Sequence, residues 1–121
     1  MKIGVVNTIL YCRKWQETVS FYRESLELEI TFSNEWFVEF KLSDTSRLSI
    51  ADEGRASIDS SGGKGITISI EVDDIENTHS DLMNRRLKPT AIKDQWQGKV
   101  TYVHDPECNR LEFWAKSPAS G

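Results

Sequence analysis

Among the side chains of this sequence that are suited to chemistry, Glu112 stands apart. It ends the run Asp105-Pro106-Glu107-Cys108-Asn109-Arg110-Leu111-Glu112, which continues into Phe113-Trp114. A turn with Pro and Asn runs straight into an alternating strand, with Leu111 and Phe113 on one face and Glu112 and Trp114 on the other. A carboxylate in a stretch that otherwise reads as core is costly unless it is paired, hydrogen-bonded or bound to metal. Three roles suit it: a metal ligand, a general base whose pKa burial has raised, or an acceptor for a ligand's amine or hydroxyl. The other reactive groups are few. Cys12 precedes Arg13, Lys14 and a helix start, a setting that can activate a thiolate but more often holds a packing residue. His79 falls on a helix, where solvation is expected. His104 falls just before the Asp-Pro turn, near a strand end.

The elements that must position these groups repeat. A strand is expected over Gly4 to Cys12, then a helix over Lys14 to Leu26, where Trp15, Val19, Tyr22 and Leu26 recur at helical spacing. Strands follow at Leu28 to Ser33, Trp36 to Leu42 and Ser46 to Ala51. Residues 52–64, with Ser57, Ser60, Ser61, Gly62 and Gly63, lose all periodicity and read as a linker. The order then recurs. Ile66, Ile68, Ile70 and Val72 alternate with Thr67, Ser69 and Glu71. Asp73-Asp74 offers an N-cap to a helix over Ile75 to Arg86. Strands are expected at Lys88 to Lys93, Gly98 to His104 and Arg110 to Ala115. Each half is thus βαβββ. Sliding one over the other lays Asn7 on Thr67, and Arg47-Leu48-Ser49 on Arg110-Leu111-Glu112.

The implied class is α+β: two βαβββ modules in tandem, about 4–51 and 65–115, within one domain of residues 1–121. Neither module alone buries both sides of its sheet. Curved mixed sheets around a cleft, with helices on the outer faces, would satisfy both. Whether the modules pair within one chain or swap between two is open at this stage.

Composition narrows the function. With 121 residues, 38% hydrophobic and 28% charged, the chain can build one core and is not of disordered type. A net charge of −4 without a Lys/Arg cluster argues against nucleic acid and anionic membrane as partners. No apolar run approaches a bilayer span. Met1 to Val6 lacks a signal peptide's apolar region, and two cysteines make no disulfide framework, so a cytoplasmic location is expected.

Three segments resemble the vicinal oxygen chelate superfamily, which includes glyoxalase I, extradiol dioxygenases, fosfomycin-resistance enzymes and bleomycin-binding proteins. They are Val6 to Leu26 with Phe21-Tyr22-Arg23-Glu24-Ser25-Leu26, Ile66 to Leu82 with Val72-Asp73-Asp74-Ile75, and Asp105 to Trp114. The last resembles the family's Asp-Pro-x-Gly-Asn turn, with Cys108 in place of Gly. The resemblance implies four positions facing the cleft, which in metal-dependent members are usually His, Glu or Gln. Here they are Asn7, Ser49, Thr67 and Glu112, and Glu112 alone is of ligand type. A catalytic ion needs about three imidazole, carboxylate or thiolate ligands. No cofactor is therefore expected. A divalent metal in a rearranged site of His104, Glu112 and Glu71 is the alternative.

Without metal, Asn7, Ser49 and Thr67 are expected to hydrogen-bond Glu112. The cleft face should also carry Ile9, Tyr11, Ser69, Glu71, Tyr102, His104 and Trp114, with Trp96 in a polar loop at the mouth. Two acidic side chains beside aromatics favour a cationic or polar-aromatic ligand. The expected function is metal-independent binding of a small organic molecule by a homodimer, similar to the antibiotic-binding members. The alternative is a lyase, isomerase or dioxygenase-type enzyme with Glu112 as general base or as part of the rearranged metal site.

Overall fold

Alternation becomes strand and helical spacing becomes helix largely where the sequence places them. The computed structural model describes residues 1–96 and 98–117. In the first module β1 (Val6–Cys12) leads to α1 (Trp15–Ser20), then β2 (Ile30–Ser33), β3 (Phe37–Ser43) and β4 (Ser46–Asp52). In the second, β5 (Thr67–Glu71) leads to α2 (Ile75–Asn84), then β6 (Lys93–Gln95), β7 (Gly98–His104) and β8 (Arg110–Lys116). The Asp74 side chain caps α2, accepting from the Asn77 amide at 3.0 Å, as the sequence suggests.

Two expectations change. The first helix is shorter than Lys14 to Leu26: α1 opens at Phe21–Ser25 into a wider π-type turn, where the consecutive Phe21 and Tyr22 are both buried. The strand expected over Lys88 to Lys93 begins only at Lys93. Lys88 has φ +56° and Pro89 has no amide to give, so the segment cannot pair regularly. Thr90 still ties it to β7. Its amide donates to Tyr102 O, and its hydroxyl accepts from the Tyr102 amide.

Each module forms an open, mixed four-stranded sheet, in the orders β1-β4-β3-β2 and β5-β8-β7-β6. The pairs β1–β4 and β5–β8 are parallel, and the rest are antiparallel. One face of each sheet is apolar. Leu10, Val38, Phe40, Leu48 and Ile50 from the first join Val103, Leu111 and Phe113 from the second, with Val19, Tyr22, Ile75 and Leu82 from the helical segments, in one buried cluster. Fully burying an aliphatic or aromatic side chain contributes on the order of 1.5–3 kcal/mol. The two modules thus meet on their helix-bearing sides, and the helices lie opposite the faces that carry Asn7 and Glu112.

Polar contacts fasten that junction. The Tyr22 hydroxyl donates to Asp105 Oδ2 at 2.6 Å, and Arg85 Nη1 donates to the Ser25 carbonyl at 2.7 Å. The amides of Arg13 and Lys14 donate to the Glu107 carboxylate at 2.9 and 2.8 Å. Asp105 also closes its own turn, accepting from the amides of Glu107 and Asn109 and from Asn109 Nδ2. Cys108 has φ +70°, the left-handed conformation that glycine adopts more readily. At Gly63 the linker passes so close that a Cβ would lie 2.0 Å from the Cys108 carbonyl oxygen.

Candidate functional site

Strand register assembles the expected residues on two faces. In the second sheet Ser69 and Tyr102 lie opposite Glu112, Glu71 and Val100 opposite Trp114, and His104 opposite Arg110. Period two therefore puts Thr67, Ser69, Glu71, Tyr102, His104, Arg110, Glu112 and Trp114 on one face. In the first sheet Ile9 and Glu39 flank Ser49, so Asn7, Ile9, Tyr11, Glu39 and Ser49 share a face. Trp96 stands 96% exposed in the β6–β7 turn with φ +54°.

The hydrogen bonds differ from the expected cluster around Glu112. Asn7 and Ser49 pair with each other, Ser49 Oγ donating to Asn7 Oδ1 at 2.7 Å. Asn7 Nδ2 donates onward to Glu39 Oε1 at 3.3 Å, and the Thr31 hydroxyl donates to Glu39 Oε2 at 2.6 Å. Thr67 Oγ1 accepts from Arg110 Nε at 3.0 Å. Glu112 Oε1 accepts from Ser69 Oγ at 2.9 Å, its one hydrogen bond to a described residue. The four matched positions thus fall two by two on different sheets. The physical cause is the junction: apolar faces outcompete polar ones for mutual burial, so the modules join through their helical sides. Glu112 is half-buried, whereas Asn7, Thr67 and Ser69 are exposed.

Several neighbours were missed from sequence. Glu39, Lys93, Gln95 and Arg110 all belong to these faces. Arg110 and Glu39 carried a signal, since each lies at an alternating position beside an identified residue. Lys93 and Gln95 carried none, because β6 lies later in the chain than its pattern suggests.

The cysteines and histidines fall outside a reactive cluster. Cys12 is fully buried, and burial together with the Glu107 and Asp105 carboxylates pushes its thiol up to about 12. That removes the activated-thiolate reading. His79 Nε2 lies 3.1 Å from the Thr90 carbonyl oxygen, and His104 is exposed at the end of β7. Burial raises the Tyr22 hydroxyl well above its ordinary pKa, as does the Asp105 carboxylate beside it. Burial alone would raise Glu107. The Ser60 hydroxyl and the amides of Arg13 and Lys14 outweigh it and hold this carboxylate below its usual value. A hollow of about 410 Å³ lies over it, lined also by Lys64 and Cys108. Its floor is this already satisfied carboxylate.

The donor set does not fit a divalent ion. Amide and hydroxyl groups occupy three of the four positions, and the carboxylate of Glu39 is already engaged by Asn7 and Thr31. Among the described residues no three His, Cys, Asp or Glu side chains gather closely enough to hold a metal. Glu71 leans instead toward Lys116, 3.8 Å away.

No family model matches the sequence, and no curated protein matches it. Solved structures do. A lactoylglutathione lyase from Agrobacterium tumefaciens superposes with TM-score 0.76 at 17% identity, covering 93% of this chain and 92% of that one. A glyoxalase/bleomycin resistance protein/dioxygenase from Nocardioides gives 0.81 at 15%, covering 99% and 87%. The antibiotic-binding protein TnmS3 from Streptomyces sp. CB03234 gives 0.78 at 17%, covering 97% and 99%. Tandem βαβββ modules and these superpositions define the class: the chain has the fold of the vicinal oxygen chelate superfamily. No helix is long and apolar enough to cross a membrane among the described residues.

Proposed function

We propose that this chain is a metal-independent small-molecule-binding protein, and that its cleft closes between the Asn7 face of one copy and the Glu112 face of a second. The observation that carries the reading is the openness of both faces. Each carries convergent polar groups beside half-buried aromatics, the usual lining of a small-molecule site, yet no described residue of the same chain covers them. Ile9 is 37% exposed and Phe32 52%, the latter edge-on to Phe37 on the Asn7 face. Among the described residues the outer edges of β1 and β5 also lack a neighbouring strand. A second copy would cover both features and bring the acidic Glu39 side toward the basic Arg110 side. The antibiotic-binding neighbour supports small-molecule binding, and the donor chemistry supports independence from metal.

Analytical ultracentrifugation at micromolar concentration tests the assembly, and elemental analysis of untagged protein tests the rest. A dimer free of stoichiometric metal is expected. A monomer, or one Zn, Ni, Mn or Fe per chain lost in Glu112→Gln, overturns the reading. One observation favours an enzyme instead: Glu112 Oε2 has no hydrogen bond to a described residue and is free to take a proton. Turnover of a small molecule that Glu112→Gln abolishes would establish that alternative.

A further inference from the structure

Two positive side chains converge on one ring of the Glu112 face. Arg110 Cζ lies 4.5 Å from the centroid of the Tyr102 ring, and Lys93 Nζ lies 5.5 Å from it. Arg110 and the Tyr102 ring are each held by a neighbour. Arg110 Nε donates to Thr67 Oγ1, and the Tyr102 hydroxyl donates to Gln95 Oε1 at 2.9 Å. Among the described residues neither cation lies within ion-pair distance of a carboxylate. Acids on and beside this face have other contacts: Asp94 lies 3.5 Å from Lys99, Glu71 lies 3.8 Å from Lys116, and Glu112 Oε1 accepts from Ser69.

Gathering like charges without a counter-ion costs free energy. The ring's negative face offsets only part of that, about 0.5–1 kcal/mol for each exposed contact. Stacking and the Thr67 bond also immobilise the guanidinium before anything binds, with Nη1 and Nη2 making no hydrogen bond to a described residue. A fork fixed in advance is the group that recognises a carboxylate through two parallel hydrogen bonds.

The geometry points to an anion subsite on this face. A small aromatic carboxylate is bound through Arg110, with Lys93 as the second charge and the ring of the ligand against Tyr102 and Trp114. The subsite rests on the binding reading above and deepens it. It also reverses the ligand charge expected from Glu71 and Glu112 alone, because the Arg110 Nη atoms and the Lys93 ammonium have no carboxylate partner among the described residues.

The test uses the dimeric full chain and three probes of one shape: 2-naphthoate, 2-naphthalenemethanol and 2-naphthylmethylamine, each titrated by heteronuclear NMR. The naphthoate should bind about tenfold more tightly than the amine, with shifts centred on Tyr102 and the Arg110 side chain. Arg110→Gln should weaken naphthoate about tenfold and leave the alcohol unchanged, while Arg110→Lys should recover part of the loss. Equal or stronger binding of the amine overturns the anion subsite alone. So does an Arg110→Gln protein that falls to monomer but keeps its naphthoate affinity per folded chain, since Arg110 would then be an interface charge. If none of the three probes binds the dimer, the binding reading fails and the subsite fails with it.

Discussion

Asp105 and Glu107 precede Glu112 in the same short run, yet the two groups of carboxylates live in opposite surroundings. Asp105 is 4% exposed and accepts from Tyr22, from two amides and from Asn109 Nδ2. Glu107 is 6% exposed and accepts from two amides of the first module and the Ser60 hydroxyl. Glu112 is half-buried on an open face and accepts one hydrogen bond. Fully satisfied buried carboxylates hold a structure together, because removing one strands several partners at once. A carboxylate with a spare oxygen and access to solvent is available to a ligand or a proton. The turn is therefore the clamp between modules, and the strand that follows it presents the proposed site.

Breaking the clamp should show this contrast most strongly. Asp105→Ala leaves the Tyr22 hydroxyl, two amides and the Asn109 side chain without their acceptor. It should cost about 3–5 kcal/mol in denaturant unfolding. A loss under about 1 kcal/mol would mean that the turn is not what joins the modules. Gly63→Ala comes next, at about 2–4 kcal/mol, because a Cβ must fit 2.0 Å from a backbone oxygen at φ +82°. A crystal structure of that variant with an unmoved linker would contradict the assignment.

The acid side of the stability curve separates the two regions further. Glu107 is held below its ordinary value of 4.5 in the folded chain, so the unfolded chain takes its proton more readily. The stability it contributes is complete above the unfolded value and is lost as pH falls through the folded one. Glu107→Gln should therefore flatten the decline of the melting temperature in that acid range. A slope identical to the parent would remove Glu107 as its source. Glu112→Gln should have the smallest effect, within about 0.5 kcal/mol at neutral pH, since the amide keeps the Ser69 contact. Destabilisation comparable to Asp105→Ala would place Glu112 in the clamp instead.

Much of this was legible in the chain itself. Alternation along Thr67 to Glu71 and Arg110 to Trp114 determines which side chains share a face, because successive strand residues must point to opposite sides. The repeat determines two βαβββ units, and Asp74 determines where α2 begins. The limited places where the reading slipped have local causes. Lys88 and Pro89 delay β6, which hid Lys93 and Gln95, and the wide turn at Phe21–Ser25 shortens α1.

What only the tertiary structure decided is which faces meet. Periodicity ranks residues as apolar or polar but does not say whether two polar faces close on each other within a chain. Here the apolar, helix-bearing faces join through Tyr22, Asp105 and Glu107, and so Asn7 and Ser49 lie apart from Thr67 and Glu112. The reason is long-range: burial of apolar surface selects the pairing of whole modules, and no spacing within either module encodes it.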